Sequence, residues 1–305
     1  MRISGFSFAR NAVSLDYPLR ESLLSALPVV DELVVAVAAG DREDDTRGLI
    51  ESIGDPRIRI VDADWDESRL HLAYSDSTNL ALDACDGDWC LYLQADEVLH
   101  EDDHAAIRAR CAALLDDRRV EGMLFDYLHF FGDYAHLQRG QGWYRSEIRL
   151  VRNGIGIRSV RDAQSFRRAT ADGERRLTVA RAHARVFHYG WARHPARMRA
   201  KMDAFWRHRG RADPDVDPRG GADEAVFDYG PLGRLEEWRG THPAVMSERI
   251  RAMNWADLLR DADRPGQPRR RRHKDERPLH RALTSLSRWT GLDLNHKNHG
   301  RVLDV

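Results

Sequence analysis

SDSTNLALDACDGDWCLYLQADEVLHEDD, residues 75–103, passes through a helix, a turn, a strand and a second helix start. Ser75–Cys85 is polar at its head and then carries apolar residues at helical spacing, the pattern of an amphipathic helix. Asp86-Gly87-Asp88 is turn chemistry. Trp89–Ala95 is a short apolar run, the pattern of a strand buried on both faces. That run ends abruptly in Asp96 and Glu97, and Glu101, Asp102 and Asp103 then sit where a new helix begins and its dipole favours acids. Two readings of Asp96 stay open from this stretch alone. It caps the helix that follows, or it stands at the carboxyl end of the strand to hold a ligand. A carboxylate so placed suits Mg²⁺ or Mn²⁺, which take oxygen ligands and share them with phosphates.

Working outward, the same cycle repeats. Residues 2–8, 32–40 and 57–63 read as strands, and LRESLLSAL and EDDTRGLIESI read as the helices between them, the first capped by Asp16 with Pro18 in its first turn. Strands alternating with helices predict a mostly parallel sheet with right-handed crossovers. Beyond residue 120 the pattern shifts to GMLFDYLHFF, EIRLVRN, GIGIRSV and ARVFHYGW, strands without intervening helices, which predict a mixed or antiparallel extension. Helices are expected at 195–209, 242–261 and 279–290. The expected division is an α/β unit over 1–194 and a helical extension over 195–305, with a basic linker at 264–278.

Composition narrows the class. The 48 basic and 49 acidic residues nearly cancel, so no nucleic-acid partner is expected. There is no signal-peptide h-region and no apolar run near the ~20 residues a membrane span requires. With the three cysteines outside any CxxC pair, this points to a cytoplasmic protein. RRRRHK (269–274), followed by LHRALTSLSRW, leaves a peripheral contact with the inner face of a membrane open beside the reading as a solvated linker. GxxxxGK[ST], GxGxxG after the first strand and GxSxG are all absent, which removes the readings as a P-loop NTPase, a dinucleotide-binding enzyme and an α/β-hydrolase.

In order and spacing, FARNAV, DELVVAVAAGDREDDT and the 75–103 stretch resemble the family 2-like glycosyltransferases of the GT-A fold. The resemblance covers roughly residues 1–190 and runs through Asn79, Gly87, Asp88 and Asp96. It implies a GT-A-like sheet and transfer of a sugar from a nucleotide-diphosphate donor. The acceptor, whether a glycan, a lipid-linked or a small molecule, is unidentified, and the setting implied is cell-surface polysaccharide or glycoconjugate synthesis. It also implies a divalent metal, Mn²⁺ or Mg²⁺, held by Asp96 and by a late histidine, His188. Asn11, Asp41, Asn79, Gln94, Asp96 and Arg149 are the residues expected to face the donor. Glu147, in WYRSEIRLVR, is the expected base, with Asp162 second. Ion pairing with Arg145 or Arg149 is the alternative for Glu147. Trp143 and Tyr144 offer faces for a sugar or for the core. Two departures stand out: Gln94 replaces the first acid of the Asp-x-Asp pattern, and Ala38-Ala39 replaces the acid that commonly ends the second strand. A nucleotidyltransferase and a non-catalytic protein that keeps the fold are the alternative readings. The first calls for a Gly- and Lys-rich first loop, which FARNAV lacks.

Overall fold

A computed structural model describes residues 1–66, 69–209, 226–262, 276–290, 295 and 297–305. The chain opens as β1 (Ile3–Ala9), α1 (Leu19–Ala26), β2 (Glu32–Ala38), α2 (Thr46–Glu51), β3 (Ile58–Ala63), α3 (Leu70–Asp83) and β4 (Trp89–Tyr92). β5 (Glu97–Leu99), α4 (Glu101–Ala113), β6 (Gly122–Phe131), β7 (His136–Leu137) and β8 (Ser146–Arg152) follow. β9 (Ile157–Val160), β10 (Ser165–Thr170) and β11 (Gly173–Arg176) form a separate antiparallel meander, and β12 (Val179–Trp191) returns to the main sheet. The remainder holds α5 (Pro195–Arg209), β13 (Glu236–Glu237), α6 (Ser247–Arg251) and α7 (Pro278–Thr290).

The expected α/β class is the observed one. β3, β2, β1 and β4 lie side by side and parallel, and β2 is buried along its length apart from Glu32, as a continuous apolar run predicts. β8 runs antiparallel between β4 and β6, and β12 lies parallel to β6, which supplies the mixed extension. In the order β3-β2-β1-β4 the chain first winds outward from β1 through β2 to β3. It then crosses by α3 to β4 on the other side of β1. The switch point of the winding therefore lies between the carboxyl ends of β1 and β4, where open α/β sheets bind ligands.

Three local expectations change. Asp16 does not cap α1: its φ is 54°, its carboxylate pairs with Arg249, and Pro18 stands at the cap without a side-chain bond. Asp96 is no cap either, because α4 starts from His100, whose Nδ1 accepts from the Asp102 amide. The helix expected over 242–261 is broken into 3₁₀ turns at Ala244–Met246 and Ala256–Leu258 around the short α6. Trp255 explains the break: its ring is buried and its Nε1 donates to the Gly132 carbonyl at 2.9 Å, a tertiary contact that outweighs helix propensity. The basic run at 269–274 lies outside the described residues, and among those described no helix is long and apolar enough to cross a membrane.

Candidate active site

The tips of β1 and β2 are joined by Asn11. Its backbone is left-handed at φ 53°, a conformation asparagine tolerates better than most side chains. That geometry turns its Oδ1 onto the Asp41 amide at 2.7 Å. A Cβ on Gly40 would lie 2.2 Å from the same oxygen, so glycine is required for the contact. Asn11 and Asp41 are thus brought together, Asn11 buried and Asp41 exposed. Beside them Phe8, Trp65 and Tyr74 form an aromatic cluster, with the Arg10 guanidinium 4.6 Å from the Trp65 ring centroid.

Past β4 the chain makes a turn, closed by the Glu97 amide donating to the Gln94 carbonyl at 3.0 Å, and the two acids diverge as it enters β5. Glu97 turns into the core. There it takes a bidentate pair from Arg149, Nε to Oε2 and Nη2 to Oε1, both at 2.7 Å, and Tyr127 Oη donates to Oε1 at 2.7 Å. Neither charged side chain has any exposed surface. Arg149, expected at the donor, is therefore a core residue, flanked by the rings of Tyr92 and Tyr127.

Asp96 turns the other way. Its Oδ2 accepts from Lys201 Nζ at 3.0 Å and lies 3.9 Å from His188 Nε2. The ammonium also donates to the Gly190 carbonyl at 2.8 Å. Burial alone would raise the Asp96 carboxyl, but the Lys201 charge beside it holds it well below the usual carboxylate range. Burial lowers Lys201 to about 8, opposed by Asp96, so the ammonium stays charged at neutral pH. Glycine at 190 keeps the grouping open: a Cβ there would fall 2.5 Å from His188 Nε2 and 2.6 Å from Asp96 Oδ2.

His188 is oriented from behind. The Tyr144 carbonyl can only accept, so His129 Nε2, 2.8 Å away, donates to it. Burial pushes His129 down to about 3 and His188 to about 4, so both rings are neutral at pH 7. His129 Nδ1 then accepts from His188 Nδ1 at 2.9 Å, which leaves the His188 Nε2 lone pair toward Asp96.

Two basic residues not singled out from the sequence complete the place. Arg193, 1 % exposed, donates through Nη1 to the Leu15 carbonyl at 2.5 Å, while its Nε and Nη2 have no hydrogen-bond partner among the described residues. Its guanidinium and the Lys201 ammonium lie 4.6 and 4.9 Å from the Tyr17 ring centroid. Arg197 and Lys201 share a face of α5 at i,i+4 spacing, but Arg193 precedes that helix and no local pattern in the sequence marks it.

The other expected residues have different places. Both amide atoms of Asn79 pair with the Ser159 backbone, 3.0 Å to O and 2.8 Å from N, pinning α3 to β9. Gln94 donates through Nε2 to the Ala163 carbonyl at 3.2 Å, which brings the loop carrying Asp162 against the end of β4. Arg161 and Ala163, on either side of Asp162, have φ of 59° and 57°. Glu147 is 1 % exposed and enclosed by Ser165 Oγ, the Ile148 amide, Asn298 Nδ2 and Gln164 Nε2. Its partners are neutral donors, not the arginines of the alternative reading. Trp143 and Tyr144 pack edge-on against His129, and Trp143 also against Phe131 and Trp191.

As a divalent-ion site this grouping is short of donors. Among the described residues no group of three or more His, Cys, Asp or Glu side chains is placed to hold a metal ion, and Asp96 Oδ2 already holds an ammonium at 3.0 Å. A divalent ion and that ammonium do not fit beside one carboxylate oxygen together.

No family model matches the chain, and no curated protein matches it. Among solved structures the chain is similar to S. aureus TarS 1-349, at 17% identity over 48% of this chain and 39% of that one, with a TM-score of 0.32. It is also similar to glucosyl-3-phosphoglycerate synthase from Mycobacterium tuberculosis, crystallised with Mn²⁺, uridine diphosphate and glucosyl-3-phosphoglycerate. There the identity is 18% over 43% of this chain and 45% of that one, with a TM-score of 0.30. The chain spans less than half the length of either structure.

Proposed function

We propose that this protein is a glycosyltransferase that moves a sugar from a nucleoside-diphosphate donor to an acceptor hydroxyl. One observation carries the reading: at the switch point of the sheet, a buried ionised carboxylate, Asp96, is gathered with the cations of Lys201 and Arg193 beside the tip of β1. Such a place suits an anionic ligand whose charge grows during reaction. In the transfer, the bond from the anomeric carbon to the β-phosphate oxygen breaks and its electron pair leaves with the diphosphate. The acceptor oxygen bonds to that carbon, and its proton passes to a base. Of the two expected bases Asp162 is the better supported, since its loop is packed on Gln94 next to Asp96, whereas Glu147 is enclosed. Asn11 and Asp41 line the nucleoside end in this reading.

Calorimetry with UDP, GDP, CDP and dTDP tests it. One diphosphate is expected to bind the wild type, and Asp96→Asn, checked for folding by circular dichroism, is expected to bind at least ~10-fold more weakly. A folded wild type that binds none of the four would defeat the proposal. A second reading, a protein that binds the donor without transfer, draws on Asn79, Arg149 and Glu147 being engaged in internal hydrogen bonds. Diphosphate binding with no turnover of the matching sugar donor in the presence of acceptor hydroxyls would favour it.

A further inference from the structure

The cation next to Asp96 comes from the chain itself. Lys201 reaches Asp96 from α5, a helix 105 residues further along the sequence. An ammonium has three N–H donors. Asp96 Oδ2 and the Gly190 carbonyl take two of them, at 3.0 and 2.8 Å, and fix its position while leaving one for a ligand. Arg193 adds the second half. The Nε and Nη2 that lack partners form one edge of the guanidinium, the fork that binds two oxygens of a phosphate at once. Leaving such an edge buried and unpaired is costly. Asp16 Oδ1 and Glu21 Oε1, on the loop and helix after β1, pair with Arg249 instead, at 2.6 and 3.2 Å. The Tyr17 ring holds both cations to one side of the loop after β1.

We propose that in this protein the Lys201 ammonium and the unpaired edge of Arg193 take the place of a divalent metal at the donor's diphosphate, so that nucleoside diphosphate binds without added metal. This rests on the transferase reading above and specifies its charge chemistry. As the bond to the anomeric carbon breaks, the charge left on the β-phosphate oxygen meets a fixed ammonium and a fixed guanidinium, and no cation has to be recruited. Asp96 then acts as the positioning residue of the lysine rather than as a ligand.

The test is calorimetric binding of the same four nucleoside diphosphates to metal-stripped protein, in EDTA and again in Mn²⁺. The electron paramagnetic resonance signal of free Mn²⁺ serves as a second readout. The wild type is expected to bind its preferred diphosphate within about twofold equally in both buffers, and to leave Mn²⁺ free in the absence of nucleotide. Lys201→Ala is expected to bind at least ~10-fold more weakly in EDTA, the loss of a charge-assisted contact. Lys201→Arg, which keeps the charge, is expected to recover part of that loss. Arg193→Gln is expected to weaken binding to a similar degree.

Wild-type binding that falls more than ~10-fold in EDTA and returns with Mn²⁺ would overturn the inference while leaving the transferase reading intact. So would unchanged affinity in Lys201→Ala. No binding of any diphosphate under either condition would remove the transferase reading and this inference with it. The wild-type EDTA comparison stands even if a variant fails to fold.

Discussion

Asp96 and Glu97 are neighbours in sequence and opposites in role. One faces the switch point beside Lys201, and the other is fixed to Arg149 inside the sheet. Gly190 is the residue on which that front face depends most narrowly, since a single methyl there would overlap both His188 Nε2 and Asp96 Oδ2. Gly190→Ala is expected to cost about 1–3 kcal/mol of stability by overpacking. It is also expected to weaken nucleoside-diphosphate binding at least ~10-fold, because one of the two functional atoms must move. Thermal unfolding and calorimetry on the same sample check this, and an unchanged affinity would show that Asp96 and His188 need not stay together. At this scale the sequence was informative where a residue breaks a local pattern. An acid ending an apolar run marked Asp96, and a histidine in an apolar strand marked His188. The burial of Arg149 and Glu147 was not legible, because a charge beside a strand reads the same whether it faces solvent or an internal partner. The partners that bury these charges include residues 52 positions away for Arg149 and 18 and 151 away for Glu147.

Among the elements, one carboxylate ties two strands of the meander β9–β10–β11 to the start of β6. Glu121, just before β6, accepts from Arg168 on β10, from Arg175 on β11 at 2.6 and 2.8 Å, and from the Thr178 amide at 2.9 Å. Burial alone would raise its carboxyl, but these donors outweigh it and hold it down at about 2, against an ordinary 4.5. A carboxyl lowered on folding contributes its full stability above its unfolded pKa and loses it as pH falls through the folded one. The urea midpoint of the wild type is therefore expected to drop between pH 4.5 and 2, and the difference from Glu121→Gln to shrink over the same interval. A difference that stays constant across that window would rule out this role. Of the meander only β9 was legible, as GIGIRSV, whereas the βαβ winding was read in full, because periodicity is local; β10 and β11 are short, β11 is exposed throughout, and neither carries such a pattern. The break of the 242–261 helix was not, since it follows from where the Trp255 ring lodges against Gly132.

Across the whole molecule, the segment after β12 is built into the sheet rather than appended to it. Lys201 meets Asp96, Asn298 meets Glu147, and Arg249 bridges Asp16 and Glu21 on the loop and helix after β1. That loop also carries Tyr17, the ring beneath Arg193 and Lys201. Arg249→Met is expected to lower stability by about 1–3 kcal/mol through loss of hydrogen bonds to charged groups. It is also expected to reduce nucleoside-diphosphate affinity, read by urea unfolding and calorimetry. Lower stability with full affinity would show that the loop keeps its shape without α6. These long-range meetings are the part of the site that periodicity does not carry. PARMRAKMDAFWRHR reads as an ordinary basic helix until its docking is known.

The distance along the chain between Asp96 and Lys201 also sets a clock. A ribosome adding ~5–20 residues per second releases the β1–β4 sheet about 5–20 s before the 105th residue after Asp96 follows it. Through that interval the nascent chain carries a strand-end carboxylate with no ammonium beside it, and its histidine partner emerges only shortly before the lysine. Until α5 has emerged and docked, a nascent protein of this design carries Asp96 without the ammonium that the proposed centre requires.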